Sequence, residues 1–277
     1  MDHESIKRSV RDHYATVARS ENGCCVSPAV AATNCCGLAD VRAVGEAIGY
    51  SNEEMAAVPE GANLGLGCGN PLAFAELREG DVVVDLGAGA GFDCFLAAPR
   101  VGAAGRVIGV DMTHDMLERA RANARKGGYT NVEFRLGEIE HLPVADAAAD
   151  RVISNCVINL SPDKPQVFRE ALRVLKPGGL LMVSDLVLLR PLPESVLRSV
   201  EAYAGCISGA MLKENYLRAI REAGFREVAV VAESAYPIGS VTPDASELAA
   251  LAEGLPPEDV RAAAESVVSV KVRAVKP

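Results

Sequence analysis

Short apolar runs alternate with helical segments through the middle of the 277-residue chain, and this alternation restricts the folds available to it. Five apolar runs of strand length are predicted, at residues 81–86, 106–111, 132–136, 150–155 and 180–185. Helical segments lie between them, at residues 92–99, 116–126 and 166–175. Strands that alternate with helices form parallel sheets through right-handed crossover connections. The sequence therefore predicts an α/β fold built on a parallel sheet.

The segments on both sides of this core differ from it in character. Residues 3–20 have the spacing of an amphipathic helix, and residues 21–37 are rich in turn formers. Asp40 is expected to cap a short helix, and Pro71 is expected to begin a helix that runs to Leu77.

The chain after residue 191 is predicted to complete one sheet edge and to cover the sheet. Its predicted elements are helices at 194–206, 213–223, 244–252 and 257–265 and strands at 227–232 and 267–274. We expect three regions: an N-terminal helix with cysteine-rich loops over 1–70, an α/β core over 71–190, and a C-terminal α+β cap with the final strands over 191–277.

Charge and composition exclude several classes of partner. The net charge is −9, aromatic residues make up 4% of the chain, and there is no tryptophan. These values argue against a nucleic-acid partner, which favours basic surfaces and aromatic stacking. No apolar run approaches the about 20 residues that span a bilayer, and the N-terminus is too charged for a signal peptide. We expect a cytoplasmic protein without a membrane partner, whose thiols stay reduced.

A glycine-rich loop follows the first predicted strand and reads Asp85-Leu-Gly-Ala-Gly-Ala-Gly91. Glycines let the backbone turn sharply at a strand end and approach a ligand closely. Asp111 ends the next strand, 20 residues after Gly91, where a carboxylate can accept hydrogen bonds from ribose hydroxyls. A dinucleotide fingerprint would need a third glycine where Phe92 stands, so a dehydrogenase fits less well.

This loop resembles motif I of the class I S-adenosylmethionine-dependent methyltransferases, which have a Rossmann-like sheet. The resemblance implies that Asp85 lies near the amino group of S-adenosylmethionine, Asp111 at the ribose and Met112 against the adenine. Further cofactor contacts are implied for Gly87, Ala88, Gly89, Gly91, Glu138, Ile139 and Asn155. A lone glycine loop can be an ordinary turn. Here, however, four markers follow successive predicted strands in order: the glycine loop, Asp111, Glu138 with Ile139, and Asn155.

Eight cysteines, with no CxxC pair among them, are the second distinctive feature. Cys94 lies inside a predicted helix and is expected to be a small buried core residue. Cys68, Cys156 and Cys206 lie in loop-like contexts, before the core, after strand four and in the cap. The topology therefore allows three distant thiols to converge above the cofactor's methyl group. Zinc is a further possibility, although its usual CxxC spacing is absent.

The motifs NLGLGCGNP, SNCVINLSPDK and GCISGA, together with the glycine loop, resemble those of arsenite methyltransferases. The resemblance implies that Cys68, Cys156 and Cys206 bind trivalent arsenic, as arsenite or a thiol conjugate, during its methylation. ATNCCG matches the region of a further redox-active cysteine, without deciding between Cys35 and Cys36. Thioredoxin or glutathione would then reset the thiols. The remaining pair, Cys24-Cys25, has no assigned role.

This chemistry suits the residue types that the chain offers. Trivalent arsenic is thiophilic, and three sulfur ligands leave its lone pair free as the nucleophile. A general base is not required, because arsenic carries no proton to remove. Two alternatives remain: methylation of an organic small molecule, and a non-catalytic protein that binds or senses a metalloid. Three thiols argue against the first, and an intact glycine loop argues against the second.

Overall fold

The computed structural model describes residues 2–19, 38–197, 206–235 and 256–277. Within them a seven-stranded sheet has the order β3-β2-β1-β4-β5-β7-β6. The strands are β1 (Val82–Leu86), β2 (Arg106–Asp111), β3 (Val132–Leu136), β4 (Ala149–Asn155), β5 (Leu175–Leu188), β6 (Arg226–Ala235) and β7 (Val267–Val275). The first five pair in parallel, whereas β7 pairs antiparallel with both β5 and β6. The predicted α/β fold is confirmed, and the complete sheet is mixed.

Helices cover both faces of this sheet. They are α1 (His3–Arg19), α2 (Leu38–Ala47), α3 (Asn52–Ala57), α4 (Phe92–Val101), α5 (His114–Gly127), α6 (Lys164–Val174), α7 (Glu194–Leu197), α8 (Lys213–Glu222) and α9 (Pro257–Ala264). On one face, α6 and α8 contribute Phe168 and Tyr216 to the largest buried cluster. On the other face, α4 contributes Phe95 and α5 contributes Leu117. The central strands are apolar on both sides because both sides are covered.

Three local predictions are wrong, each for a local physical reason. Pro71 begins a 3₁₀ helix that ends at Phe74, and the Asn70 side chain caps it by accepting from the backbone N–H groups of Leu72 and Ala73. Asp40 lies inside α2, which begins at Leu38. The fifth strand, predicted to start at residue 180, begins at Leu175, because residues 176–179 form an irregularity within β5 where the register with β4 shifts.

Helix α1 packs against strands β5 and β7 in a smaller apolar cluster. Val10 of α1, Leu186 of β5 and Val267 of β7 are all buried there. The cluster also contains Cys68 and Cys206. Residues from distant parts of the sequence therefore enclose one region at the carboxyl ends of the parallel strands.

The predicted helix at 194–206 is described only as far as Leu197, and the predicted helix at 244–252 lies outside the described residues. No helix in the described ranges has the length and apolar character needed to cross a membrane.

Candidate functional site

The glycine loop connects β1 to α4 and is open on one side. Gly87 and Gly89 both have positive φ angles, 67° and 52°, which L side chains rarely adopt. A Cβ atom at Gly87 would collide with the side chain of Val157, whereas a Cβ atom at Gly89 would meet nothing within 4 Å. Gly87 is therefore required by packing, and the backbone at Gly89 borders open space. Ala88 lies buried between them, and Gly91 precedes the first residue of α4.

Asp111 fixes this loop from the end of β2. Its Oδ2 atom accepts a hydrogen bond from the backbone N–H of Gly89 at 2.9 Å, and its Oδ1 atom accepts from that of Thr113 at 2.8 Å. A carboxylate has about four acceptor sites, so lone pairs remain on both oxygens. Met112, next in the chain, is partly buried against the cluster that contains the cysteines. The arrangement suits a ribose whose two hydroxyls donate to one carboxylate.

Two buried carboxyl groups next to the loop, those of Asp85 and Asp93, interact electrostatically. Asp85 is the penultimate residue of β1 and accepts a hydrogen bond from the thiol of Cys94 at 3.2 Å. Burial, with the neighbouring Asp93, raises the pKa of Asp85 well above its usual value, and burial raises the pKa of Asp93 to about 6. A ligand ammonium group would stabilise the ionised form of these two buried carboxyl groups. The pair therefore fits the amino group of S-adenosylmethionine, and the open space at Gly89 fits the close approach of its methionine part.

The N-terminal helix lies across the far side of the same cleft. Lys7 of α1 forms an ion pair with Glu138 at 2.6 Å and another with Glu140 at 3.5 Å. Glu138 follows β3 and is half-buried, whereas Ile139 is buried in the main core. Helix α1 therefore covers the segment that the sequence assigns to the adenine.

The structure brings the three loop cysteines together at one end of this cleft. The sulfur atoms of Cys68 and Cys156 lie within 4.8 Å of each other and of a carboxylate oxygen of Asp185. The thiol of Cys206 donates a hydrogen bond to the carbonyl oxygen of Cys156 at 2.9 Å. Cys68 and Cys206 are buried, and Cys156 is partly exposed. The group of Cys68, Cys156, Cys206 and Asp185 is called the thiol cluster below.

Backbone strain accompanies this convergence. Cys156 and Cys206 have φ angles of 58° and 62°, a conformation that costs a residue with a Cβ roughly 1–3 kcal/mol. Backbone hydrogen bonding holds Cys156 in place, because its N–H donates to the carbonyl oxygen of Ser184 at 2.8 Å. Cys68 is held from the other side, where the hydroxyl of Ser269 donates to its carbonyl oxygen at 2.6 Å. Such strain is typical of functional positions.

The environment of Cys68 and Cys156 affects the ionisation of both thiols. Burial raises the pKa of the Cys68 thiol. Hydrogen bonding with the thiols of Cys206 and Cys68 raises the pKa of Cys156 well above its usual value. Cys68 and Cys156 therefore favour the neutral thiol form until a thiophilic ion replaces their protons.

Asn155, at the end of β4, connects the Cys68 loop to the cofactor cleft. Its Oδ1 atom accepts from the backbone N–H of Cys68 at 3.1 Å. Its Nδ2 atom lies 2.8 Å from the carbonyl oxygen of Gly69, 2.9 Å from the hydroxyl of Tyr50 and 3.1 Å from a carboxylate oxygen of Asp93. The contacts with Cys68 and Gly69 place Asn155 as a support for the cysteine loop. Its predicted contact with the cofactor stays a prediction.

The sequence analysis missed the acidic member of the thiol cluster. Asp185 is fully buried, and it accepts hydrogen bonds from the backbone N–H of Leu186 at 2.9 Å and from the hydroxyl of Tyr216 at 3.0 Å. Burial raises its pKa to about 7. Asp185 is the last residue of the predicted fifth strand, as Asp111 is of the predicted second strand, so the strand-end rule was a signal that could have found it, although the observed β5 continues to Leu188.

The remaining predicted residues divide into two groups. Cys94 lies within α4 and is buried in the core cluster, as expected from its helical context. Cys24, Cys25, Cys35 and Cys36 lie outside the described residues.

Comparison with known proteins agrees with this fold. A family model described as "Methyltransferase domain" matches residues 77–224, which is more than half of the chain. The sheet, the acidic glycine loop and this match define a class I S-adenosylmethionine-dependent methyltransferase.

Curated relatives narrow the class. An arsenite methyltransferase of Halobacterium salinarum is 47% identical over 83% of this chain and 59% of its own length. The arsenite methyltransferase of Homo sapiens is 39% identical over 57% of this chain and 44% of its own length. A solved arsenic(III) S-adenosylmethionine methyltransferase from Chlamydomonas reinhardtii is 36% identical, with a TM-score of 0.62, covering 84% of this chain and 72% of that one. The chain belongs to the arsenite methyltransferase family. It spans about half to three-fifths of the length of the curated relatives that it matches.

Proposed function

We propose that this chain transfers the methyl group of S-adenosylmethionine to trivalent arsenic held by Cys68, Cys156 and Cys206. The substrate is arsenite or one of its thiol conjugates, and the products are methylated arsenicals, which gives the reaction a role in detoxification. The observation that carries the proposal is the convergence of the three thiols beside the strand ends. Nothing in methylation of an organic oxygen or nitrogen would use that convergence.

The cofactor side of the proposal assigns the cleft to S-adenosylmethionine. When bound, the cofactor supplies an electrophilic methyl group on its sulfonium centre. Asp85 would hold its amino group and Asp111 its ribose, while Met112, Glu138 and Ile139 would border the adenine. The methionine part would lie against the glycine loop at Gly87, Ala88, Gly89 and Gly91. Asn155 would contact the cofactor at the point where the cofactor cleft meets the thiol cluster.

The three thiols would exchange for the oxygen or thiolate ligands of arsenic, and each would lose one proton. Three sulfur ligands give a pyramid whose lone pair points away from them. The rigid supports of the cysteines, Asn155 at Cys68 and the β5 backbone at Cys156, orient that pyramid. Orientation of two reactants in one site supplies much of the rate gain in such transfers.

Methyl transfer changes arsenic from the trivalent to the pentavalent state, so repeated turnover needs two electrons. We assign them to a pair of thiols that close to a disulfide, with Cys35 or Cys36 as one partner and Cys68 as the other. Thioredoxin or glutathione would reduce that disulfide. The reducing cytoplasm is the compartment that this chemistry requires.

The three regions of the chain would then have separate roles. Residues 71–190 would bind the cofactor, while 1–70 and 191–277 would supply Cys68 and Cys206 to the arsenic site. The shared apolar cluster of α1, β5, β7 and both cysteines supports this division of roles.

A turnover assay tests the proposal. The reduced protein is incubated with S-adenosylmethionine and either arsenite or a panel of organic acceptors, and S-adenosylhomocysteine and methylated arsenic are measured. We expect arsenite-dependent product in the wild type and none in Cys156→Ser, with cofactor affinity unchanged in that variant. Product from an organic acceptor alone would establish the alternative methyltransferase reading. Cofactor binding without any product, combined with tight arsenite binding, would establish a sensor.

A further inference from the structure

The thiol cluster contains one ligand more than trivalent arsenic uses. Three sulfurs complete the pyramid of arsenic, yet the carboxylate oxygen of Asp185 lies within 4.8 Å of the sulfurs of both Cys68 and Cys156. The cluster is also more enclosed than a surface site, since Asp185 is fully buried. Three sulfurs and one oxygen are the donor set of a tetrahedral divalent ion.

We propose that the thiol cluster is also a binding site for a thiophilic divalent cation such as Zn²⁺ or Cd²⁺, with Asp185 as the ligand that distinguishes such a cation from arsenic. Cys68 and Cys156 provide two sulfur ligands, and Cys206 provides the third. The cation and arsenite therefore compete for the same thiols. This inference does not depend on whether arsenite is the substrate of the chain.

The distances suit a tetrahedral ion after a small contraction. Zinc bonds of about 2.3 Å to sulfur and about 2.0–2.2 Å to oxygen give ligand-to-ligand edges of roughly 3.3–3.8 Å. The observed separations are no more than 4.8 Å, so the two sulfurs and the oxygen need to approach one another by at most about 1.5 Å. The thiol of Cys206 lies next to Cys156, since it donates to the carbonyl oxygen of Cys156 at 2.9 Å and interacts with its thiol, and it would have to move toward the ion to become the third sulfur ligand.

Asp185 is oriented in the way that metal-ligating carboxylates usually are. The backbone N–H of Leu186 and the hydroxyl of Tyr216 each donate to one of its oxygens, at 2.9 and 3.0 Å. Such outer contacts hold a ligating carboxylate in a single orientation and leave lone pairs for the ion.

The charge balance also differs between the two ions. Three thiolates neutralise trivalent arsenic, which needs no further ligand. A divalent ion with three thiolates and Asp185 has a net charge of −2, and the buried ammonium group of Lys164, which interacts electrostatically with Asp185, brings the total to −1. The ligands come from four separate segments, which explains why no zinc-like spacing is visible in the sequence.

Cadmium is the probe for the test, because its thiolate complexes absorb in the ultraviolet. The full chain is used with Cys24, Cys25, Cys35 and Cys36 changed to serine, in reduced form and without cofactor. Cadmium affinity is measured by titration against a chromogenic chelator, and arsenite is then added as a competitor. Circular dichroism confirms that each variant is folded.

We expect one Cd²⁺ per chain, displaced by arsenite. Asp185→Asn should weaken cadmium binding by about tenfold or more and change arsenite affinity by less than about threefold. Glu170→Gln, at a buried carboxylate outside the thiol cluster, is the matched control and should change neither. Wild-type cadmium affinity in Asp185→Asn, or cadmium that arsenite does not displace, would overturn the inference. Cys156→Ser should lose the binding of both cadmium and arsenite. If it binds cadmium normally, the site is misassigned; if it loses cadmium while Asp185→Asn does not, only the role of Asp185 is wrong. Methylation of arsenite can persist in either case, so the two proposals fail independently.

Discussion

Asp185 provides a pH-dependent test of the thiol cluster. Its carboxyl is fully buried, and burial raises its pKa from 3.8 to about 7. Between these values the folded protein keeps a proton that the unfolded chain releases. The unfolding free energy therefore falls as pH rises through this window. Each pKa unit corresponds to about 1.4 kcal/mol. Because the pKa of Asp185 rises from 3.8 to about 7, the total loss of unfolding free energy above pH 7 is at most ~4 kcal/mol.

Asp185→Asn removes the ionisation and keeps the shape of the side chain. Its amide oxygen can still accept from the N–H of Leu186, and the hydroxyl of Tyr216 can turn to accept from its NH₂ group. We expect the stability gain of the variant over wild type to increase by about 2–3 kcal/mol between pH 5 and pH 8. Urea unfolding under reducing conditions, followed by circular dichroism, measures this difference.

The matched control for that experiment is Glu60→Gln, at an exposed side chain. Its stability difference from wild type should be the same at both pH values. A difference for Asp185→Asn that does not change with pH, or that changes in the opposite direction, would refute the assignment of a buried proton to Asp185.

Three further predictions concern the supports of the site. Asn155→Ala removes the support of the Cys68 loop, so arsenite affinity, measured by titration, should fall about tenfold or more while cofactor affinity falls less; equal losses would contradict the supporting role. Gly89→Ala should reduce cofactor affinity, measured by calorimetry, at a stability cost of only about 1–2 kcal/mol. Gly87→Ala should lower the thermal unfolding temperature more, because its Cβ atom would meet Val157. Equal effects of the two variants on thermal unfolding would be evidence against the open space at Gly89. Cys94→Ala should lower thermal stability and leave arsenite stoichiometry unchanged, and a lost arsenic site would contradict its core assignment.

The strands of the core were predictable because their signals are local. Each apolar run of the parallel sheet lies between turn formers. The structure matches the predicted ends of β2 and β3 and differs by one residue in β1 and β4, whereas β5 begins five residues before its predicted start and ends three residues after its predicted end. The insertion of β7 between β5 and β6 was not predictable, because strand order depends on pairing between distant segments. Only the structure shows that the edge becomes antiparallel.

The site was partly predictable for the same reason. The glycine loop and Asp111 follow from strand-end chemistry, and the three cysteines follow from the motif resemblance. The support of Cys68 by Asn155 depends on a side chain 87 positions away, and it has no local signature. Asp185 was overlooked because the arsenic chemistry required no acid, although its position at a strand end was visible.

X-ray absorption at the arsenic edge tests the central claim most directly. Arsenite is bound to the reduced chain in which Cys24, Cys25, Cys35 and Cys36 are changed to serine, and the scattering atoms around arsenic are counted. The account predicts three sulfur neighbours, falling to two sulfurs and an oxygen in each of Cys68→Ser, Cys156→Ser and Cys206→Ser. Three sulfur neighbours that persist in any of these variants, or an oxygen-dominated shell in the parent protein, would contradict it.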